Sequence, residues 1–380
     1  MASLPSRAPF PLAERAGRVR WPATQGRRTL LRLALSTPYV GLSIWLAAHG
    51  FRSAQDVQIA RAARALGTSG LSPGAVVRTF PPLAPLVSRL LPGGARSLGV
   101  VGALCTGGTL HLCWERLVRA CVPRWLVAVL VGAAGGSPIF WFVATGEPTD
   151  FVSVALLTVA IAGTFDFVYL GSTTGGYAAG CSLALTVLWD PGSLVYVGGV
   201  ALAIPFLAWE RVRREPGVSR SAVAVVTFPT VAAVAAWAFL AWRFAGHMDW
   251  SLLVSSSTPS GARAGALHGL AGAATQLAWQ VCCAPVVVIG TACLFEHRPM
   301  PAIGVLVVVS SLFASSWLAL RFSGLDGVVL LDIVGFVTVP AHPPRVVAVS
   351  LGAAAVAGLA LSVMSSLSGG PGHLLHALGL

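Results

Sequence analysis

The chain has 380 residues, 56% hydrophobic and 10% charged, with a mean hydropathy of +0.79. A soluble domain does not carry this much apolar surface, and the apolar residues fall in runs long enough to cross a bilayer. The formal charge of +12 does not indicate nucleic-acid binding, because the arginines sit at the ends of the apolar runs. Lysine is absent, which reflects a coding bias towards arginine. The cysteines lie in or beside apolar runs without Cys-x-x-Cys spacing, so they read as small buried residues and not as a metal or redox site. The fold class is an all-α polytopic membrane protein.

Residues 1–32 are rich in Pro, Ala and Arg and read as a disordered basic terminus. Arg15, Arg18, Arg20, Arg27, Arg28 and Arg32 place it on the cytoplasmic side. This polar stretch is too long for a cleaved signal peptide, so the first span, 33–49, stays as an anchor. An external loop, 50–96, follows. Its part from Asp56 to Leu66 has apolar side chains at Val57, Ile59, Ala60, Ala63 and Leu66, interrupted by Arg61 and Arg64. That is the pattern of a short interfacial helix. Gly67, Gly70, Pro73 and Gly74 break it, Pro81 and Pro82 fix a turn, and Leu83 to Leu91 form a second amphipathic segment.

Spans at 97–114 and 125–145 flank the arginine-rich turn 115–124, and Gly146 to Asp150 is a short external loop carrying two acids. Three crossings fit between 151 and 209, the last two short and glycine-rich. Arg211, Arg213, Arg214 and Arg220 mark the next cytoplasmic loop. A span at 222–244 leads to an external loop, 245–269, with His247, Asp249 and Arg263. Spans at 270–295, 302–320, 328–339 and 346–364 complete a bundle of about 11 crossings, within a range of about 10 to 12. The organisation is thus a basic terminus (1–32), a membrane module (33–210) and C-terminal membrane helices (211–380). The expected location is the cell membrane, multi-pass.

Arg52, Arg61, Arg64, Arg78, Arg89 and Arg96 all fall in the first external loop, against the positive-inside tendency that long loops obey weakly. An anionic group held there accounts for them, and a lipid phosphate is the obvious one. Arg78, Arg89 and Arg263 are the candidate contacts; the alternative is ordinary snorkelling at the headgroup layer. Asp56, a carboxylate among these arginines, is suited to act as a general base or to help hold a metal ion. Its alternative is a helix cap or an ion pair with Arg52 or Arg61. Glu147 and Asp150 join Asp56 around one site, or belong to a solvated turn. His247 and Asp249 mark a second external site on the same terms. Asp166 and Asp332 lie inside apolar runs, where an unpaired carboxylate is expensive. Each pairs with an arginine from a neighbouring span end or marks an ion path. No H-E-x-x-H, P-loop, dinucleotide fingerprint or nucleophile elbow is present.

Three stretches appear in order: Asp56 followed by Val57-Gln58-Ile59-Ala60-Arg61-Ala62-Ala63 and Phe80-Pro81-Pro82-Leu83-Ala84-Pro85-Leu86; Ser137-Pro138-Ile139-Phe140; and Gly176-Tyr177-Ala178-Ala179-Gly180 running to Leu188-Trp189-Asp190-Pro191-Gly192. Together they cover roughly residues 35–210. This order resembles the polyprenyl-phosphate-sugar-dependent membrane glycosyltransferases of the GT-C superfamily, the mannosyltransferase-like group in particular. The resemblance implies a GT-C-like helical bundle that moves a sugar from a polyprenyl-phosphate donor to a lipid, glycan or protein acceptor on the extracytoplasmic face. Asp56 would be the base opposite the leaving phosphate, external arginines would hold that phosphate, and Mg2+ or Mn2+ would assist. Partners would be membrane lipids, the lipid-linked donor and other membrane proteins, with no nucleic acid. The family motif often has a second acid beside the first, whereas here the neighbours are the amides Gln55 and Gln58. Either Glu147 or Asp150 replaces it, or the fold serves as a non-catalytic lipid-binding or scaffold subunit. A small-molecule or lipid transporter is the third class, and it requires an internal repeat or interrupted spans around a midplane site.

Overall fold

The computed structural model describes residues 24–51, 53–68, 72–79, 81–94, 96–213, 215, 217–246, 269–318 and 324–366. Among these residues the structure is helical with no strand. The chain opens with α1 (Gln25–Ala48), and the first loop contains α2 (Ala54–Thr68), α3 (Pro73–Arg78) and α4 (Leu83–Leu90). Then come α5 (Arg96–Arg119), α6 (Arg124–Gly136), α7 (Pro138–Gly146), α8 (Pro148–Leu170), α9 (Thr173–Trp189), α10 (Leu194–Leu207) and the short α11 (Trp209–Val212). The last part holds α12 (Val218–Ala245), α13 (Leu270–Cys283), α14 (Pro285–His297), α15 (Pro299–Trp317), α16 (Leu325–Thr338) and α17 (Arg345–Ser366).

Among the described residues, α1, α5, α8, α12, α15 and α17 are 6 helices long and apolar enough to cross a membrane, and the bent pairs α6–α7 and α13–α14 raise the number to 8. The chain is an all-α polytopic membrane protein. The remaining apolar helices α9, α10 and α16 have 17, 14 and 14 residues, short of the ~20 that a perpendicular crossing needs. An eleven-span arrangement requires these three to cross as well.

Hydropathy reads 125–145 and 270–295 as single straight spans, and both are bent in the structure. The bends are 54° and 88°, each at the residue before a proline, Pro138 or Pro285. Proline lacks the N–H that would continue the ladder and pushes its predecessor out of the helical region.

In packing order, α1, α5, α8, α9 and α12 form one row. Small residues let these backbones approach closely. A Cβ on Gly163 of α8 would sit 2.6 Å from the Gly175 carbonyl oxygen of α9, and one on Gly180 would press on Pro229 and the Val226 carbonyl of α12. The glycine-rich stretch of α9 thus serves contacts on two sides. Gly107 of α5 admits α1 in the same way, and the Ser36 hydroxyl of α1 donates to the Leu104 carbonyl at 3.2 Å. Behind the row, α16 is enclosed by α5, α7, α8, α13, α14 and α15, with nearly every side chain buried. One apolar core runs from Tyr39 to Ala355.

The two ends of the bundle differ. At one end Asp166 of α8 receives Arg116 (2.9 Å) and Arg119 (3.4 Å) of α5, and Arg119 also reaches Glu115 at 2.7 Å. Of the two alternatives for Asp166, this is the pairing with a neighbouring span end. The Arg116 guanidinium also lies 5.6 Å from the Phe165 ring centre. The same end gathers the turns around Ala120, Gly171, Glu210 and His342. The first loop, the α7–α8 turn and the α9–α10 turn are at the other end.

Two outcomes are expected. Gly163→Val overpacks the α8–α9 contact and lowers stability by about 1–3 kcal/mol, read as a drop in melting temperature in detergent. Asp166→Asn leaves two guanidinium groups facing an amide. Their side chains are about a quarter exposed, so the loss is about 1–3 kcal/mol, below that of a fully buried pair. A double-mutant cycle with Arg116→Gln should recover part of it.

Candidate functional site

The first loop is fixed to the bundle by a small apolar cluster. Ile59 of α2, Ala84 of α4, Leu98 of α5, Val152 of α8 and Trp189 of α9 are buried together. The Trp189 indole N–H donates to the Thr149 carbonyl at 2.9 Å. On α2 the buried side chains are Gln55, Ile59, Ala63 and Leu66, the spacing of one helical face. Asp56, Ala60 and Arg64 recur at every fourth position and form the adjoining face.

That adjoining face borders a cavity of about 790 Å³, within the range of small-molecule sites, roughly 300–1,000 Å³. Its wall is built by Ser43, Leu46 and Ala47 at the end of α1, by Phe51, by Asp56, Val57, Ala60 and Arg64 of α2, and by Ser88 and Arg89 of α4. Gly93, Gly94, Gly99, Thr145 and Pro148 close it. Gly93 and Gly94 have φ of +90° and +64°, which lets the chain reverse between α4 and α5 at the cavity wall. The cavity therefore has an apolar side along a membrane helix and a charged side carrying one carboxylate and two guanidinium groups.

Asp56 is positioned by its own helix. Its N–H donates to Ser53 Oγ at 3.0 Å, and the Ser53 N–H donates back to Asp56 Oδ2 at 3.4 Å. This is a reciprocal capping box, so the capping alternative for Asp56 holds while the residue also lines the cavity. The first-turn position suits an acid because it meets the positive end of the helix dipole. Arg64 Nε donates to the Ala60 carbonyl at 3.2 Å, which orients the guanidinium along α2. Arg89 is exposed in the last turn of α4.

The other candidate residues are placed differently. Glu147 joins α7 to α8, between Thr145 and Pro148 of the cavity wall, without lining the cavity itself. Asp150 is buried in the first turn of α8 and turns into the bundle, close enough to Asp326 for the two carboxylates to repel. Asp326 Oδ1 in turn accepts the Gly324 and Gly327 N–H groups at 3.1 and 3.0 Å, capping α16. Of Asp56, Glu147 and Asp150, only Asp56 reaches the cavity. Arg78 ends α3, and its side chain lies outside what is described. His247, Asp249 and Arg263 lie outside the described residues. Arg64 takes a place in the wall for which it had not been singled out; its signal was the four-residue spacing from Asp56 through Ala60.

Among the described residues no three of His, Cys, Asp and Glu converge as a metal site. A divalent ion at this cavity would rest on Asp56, water and the phosphate of a bound molecule, the oxygen set Mg2+ commonly accepts. The chain matches no protein-family profile, no curated protein and no solved structure.

Arg89→Ala is expected to weaken capture of a lipid phosphate about tenfold, the ~1.5 kcal/mol of one hydrogen bond to a charged group. Arg64→Ala should act similarly. Arg61→Ala, on the exposed side of α2, should leave binding unchanged. Vesicle co-flotation or surface binding to immobilised phospholipid headgroups reads all three.

Proposed function

We propose that the chain is a membrane glycosyltransferase that takes a sugar from a polyprenyl-phosphate donor at the extracytoplasmic surface of a cell membrane. The observation that carries this reading is the shared cavity of Asp56, Arg64 and Arg89, walled on its other side by the end of α1. A polyprenyl phosphate has the matching two parts, an anion for the arginines and a hydrocarbon chain for the apolar helix. Arg64 and Arg89 hold the phosphate and stabilise the charge that grows on it as the sugar departs. Asp56 accepts the proton from the acceptor hydroxyl as that oxygen attacks the anomeric carbon, opposite the leaving phosphate. A divalent ion bound beside Asp56 would add positive charge at the phosphate. The capping box with Ser53 helps hold the carboxylate in place at the start of α2.

A second reading is favoured by one observation, that Asp56 stands without Glu147 or Asp150 in the cavity wall. On that reading the chain is a non-catalytic lipid-phosphate-binding subunit of a membrane complex.

Transfer of radiolabelled sugar from polyprenyl-phosphate donors by purified protein separates the two. Asp56→Asn should reduce transfer at least about a hundredfold, the lower range for loss of a general base, with lipid binding retained. Ser53→Ala should cost only about 1 kcal/mol of stability as a lost cap and leave most of the transfer. Equal effects of the two substitutions would make Asp56 a capping residue alone. No turnover by a wild type that binds the lipid would establish the subunit.

A further inference from the structure

The two helix bends converge on one carboxylate. The α6–α7 break at Ser137 and the α13–α14 break at Ala284 lie on either side of a small cavity of about 20 Å³, whose wall includes Ser137, Cys283, Pro285, Gly358 and Asp332. A space of this size holds about one water molecule. Asp332 lies midway along α16, the most enclosed helix of the bundle, and is half-buried between the buried Leu331 and Ile333, on the wall of this cavity. Among the described residues it makes no hydrogen bond and no ion pair. The titratable groups that face it are the thiols of Cys113 on α5 and Cys283 on α13, and no basic side chain offsets its charge. Asp166 shows the contrast, with two arginines on a carboxylate near the bundle's end. Of the two alternatives for acids inside apolar runs, Asp332 does not show the arginine pairing among the described residues.

A bare carboxylate charge inside hydrocarbon costs several kcal/mol, so a cation must accompany it. Beside Asp332, Ser137 is the one hydroxyl residue in the cavity wall, which is otherwise lined by hydrocarbon and sulfur side chains. The side chains alone thus offer fewer oxygens than the six or so that a metal ion takes. We propose that Asp332 is a proton-binding site within the membrane and that its protonation state controls how tightly the two broken helices close over it. With the proton bound, the carboxyl is neutral and the apolar wall packs against it. With the proton released, the carboxylate draws water into the cavity and the first turns of α7 and α14 loosen. Interrupted helices around an acid within the bundle are an arrangement that membrane proteins use to bind and exchange ions. This site shares no residue with the loop cavity and involves no sugar chemistry.

The test is labelling of the full-length protein in liposomes with dicyclohexylcarbodiimide, which enters through hydrocarbon and adds to protonated carboxyl groups, read by peptide mass spectrometry. Asp332 should take the label in preference to Asp166. The rate should fall about tenfold per pH unit once the carboxyl ionises. In parallel, hydrogen exchange in the first turns of α7 and α14, corrected for intrinsic rates, should lose protection as pH rises in the wild type. It should be independent of pH in Asp332→Asn. Labelling that does not vary with pH overturns the proposal, as does identical exchange in the two proteins or protection from the label by sodium ions at constant pH. Absence of label together with pH-independent exchange overturns it without recourse to any variant.

Discussion

The backbone contact between α8 and α9 sets the position of everything at the loop end of the bundle. Gly163 and Gly175 remove the side chains that would separate the two helices, and close approach is the main attraction available between helices in lipid. α8 begins at Pro148, on the cavity wall, and α9 ends at Trp189, whose indole holds the Thr149 carbonyl. A shift of one helix along the other would carry Trp189 away from Ile59 and Ala84, and the loop helices would lose their seat. The geometry at the charged cavity is inherited in part from a contact between glycines near the opposite end of α9, beside Asp166.

The acids of the chain are handled in three ways. Asp166 shares its charge with Arg116 and Arg119 near the end of the bundle, where partial exposure keeps desolvation small. Asp56 and Asp326 bind backbone N–H groups at helix starts, so the peptide chain itself stabilises them. Asp332 has neither arrangement. The proposed base is thus held by a local motif, whereas the proposed proton site is held only by the packing around it.

Much of the fold was readable from pattern alone. The loop helices follow from the apolar spacing of Ile59, Ala63 and Leu66 and from the prolines at 73, 81 and 82, because amphipathic periodicity and chain breakers are local properties. Pairing of Asp166 with an arginine at a neighbouring span end was one of two readings open to the sequence; which arginines it meets, Arg116 and Arg119, depends on the packing of α5 on α8. The bends at Ser137 and Ala284 were missed because hydropathy sums over a window and treats a proline as one more weakly apolar residue. The direction of Asp150 was also beyond reach. It lies two residues into α8, and which way that first turn faces is decided by the rotation of the helix against α9 and α16, not by composition. Arg64 was visible as a charge but not as a wall residue, because the position of α1 opposite it is a tertiary fact.

The enclosure of α16 has a consequence for biogenesis. Its neighbours include α5, α7 and α8, made early in synthesis, and α13, α14 and α15, made shortly before it. Until residues 325–338 emerge from the ribosome, these earlier helices lack the segment that they pack against in the finished bundle. A 14-residue helix carrying two aspartates therefore has to join contacts that the earlier helices leave open, before α17 adds its own against α6, α7, α13 and α14.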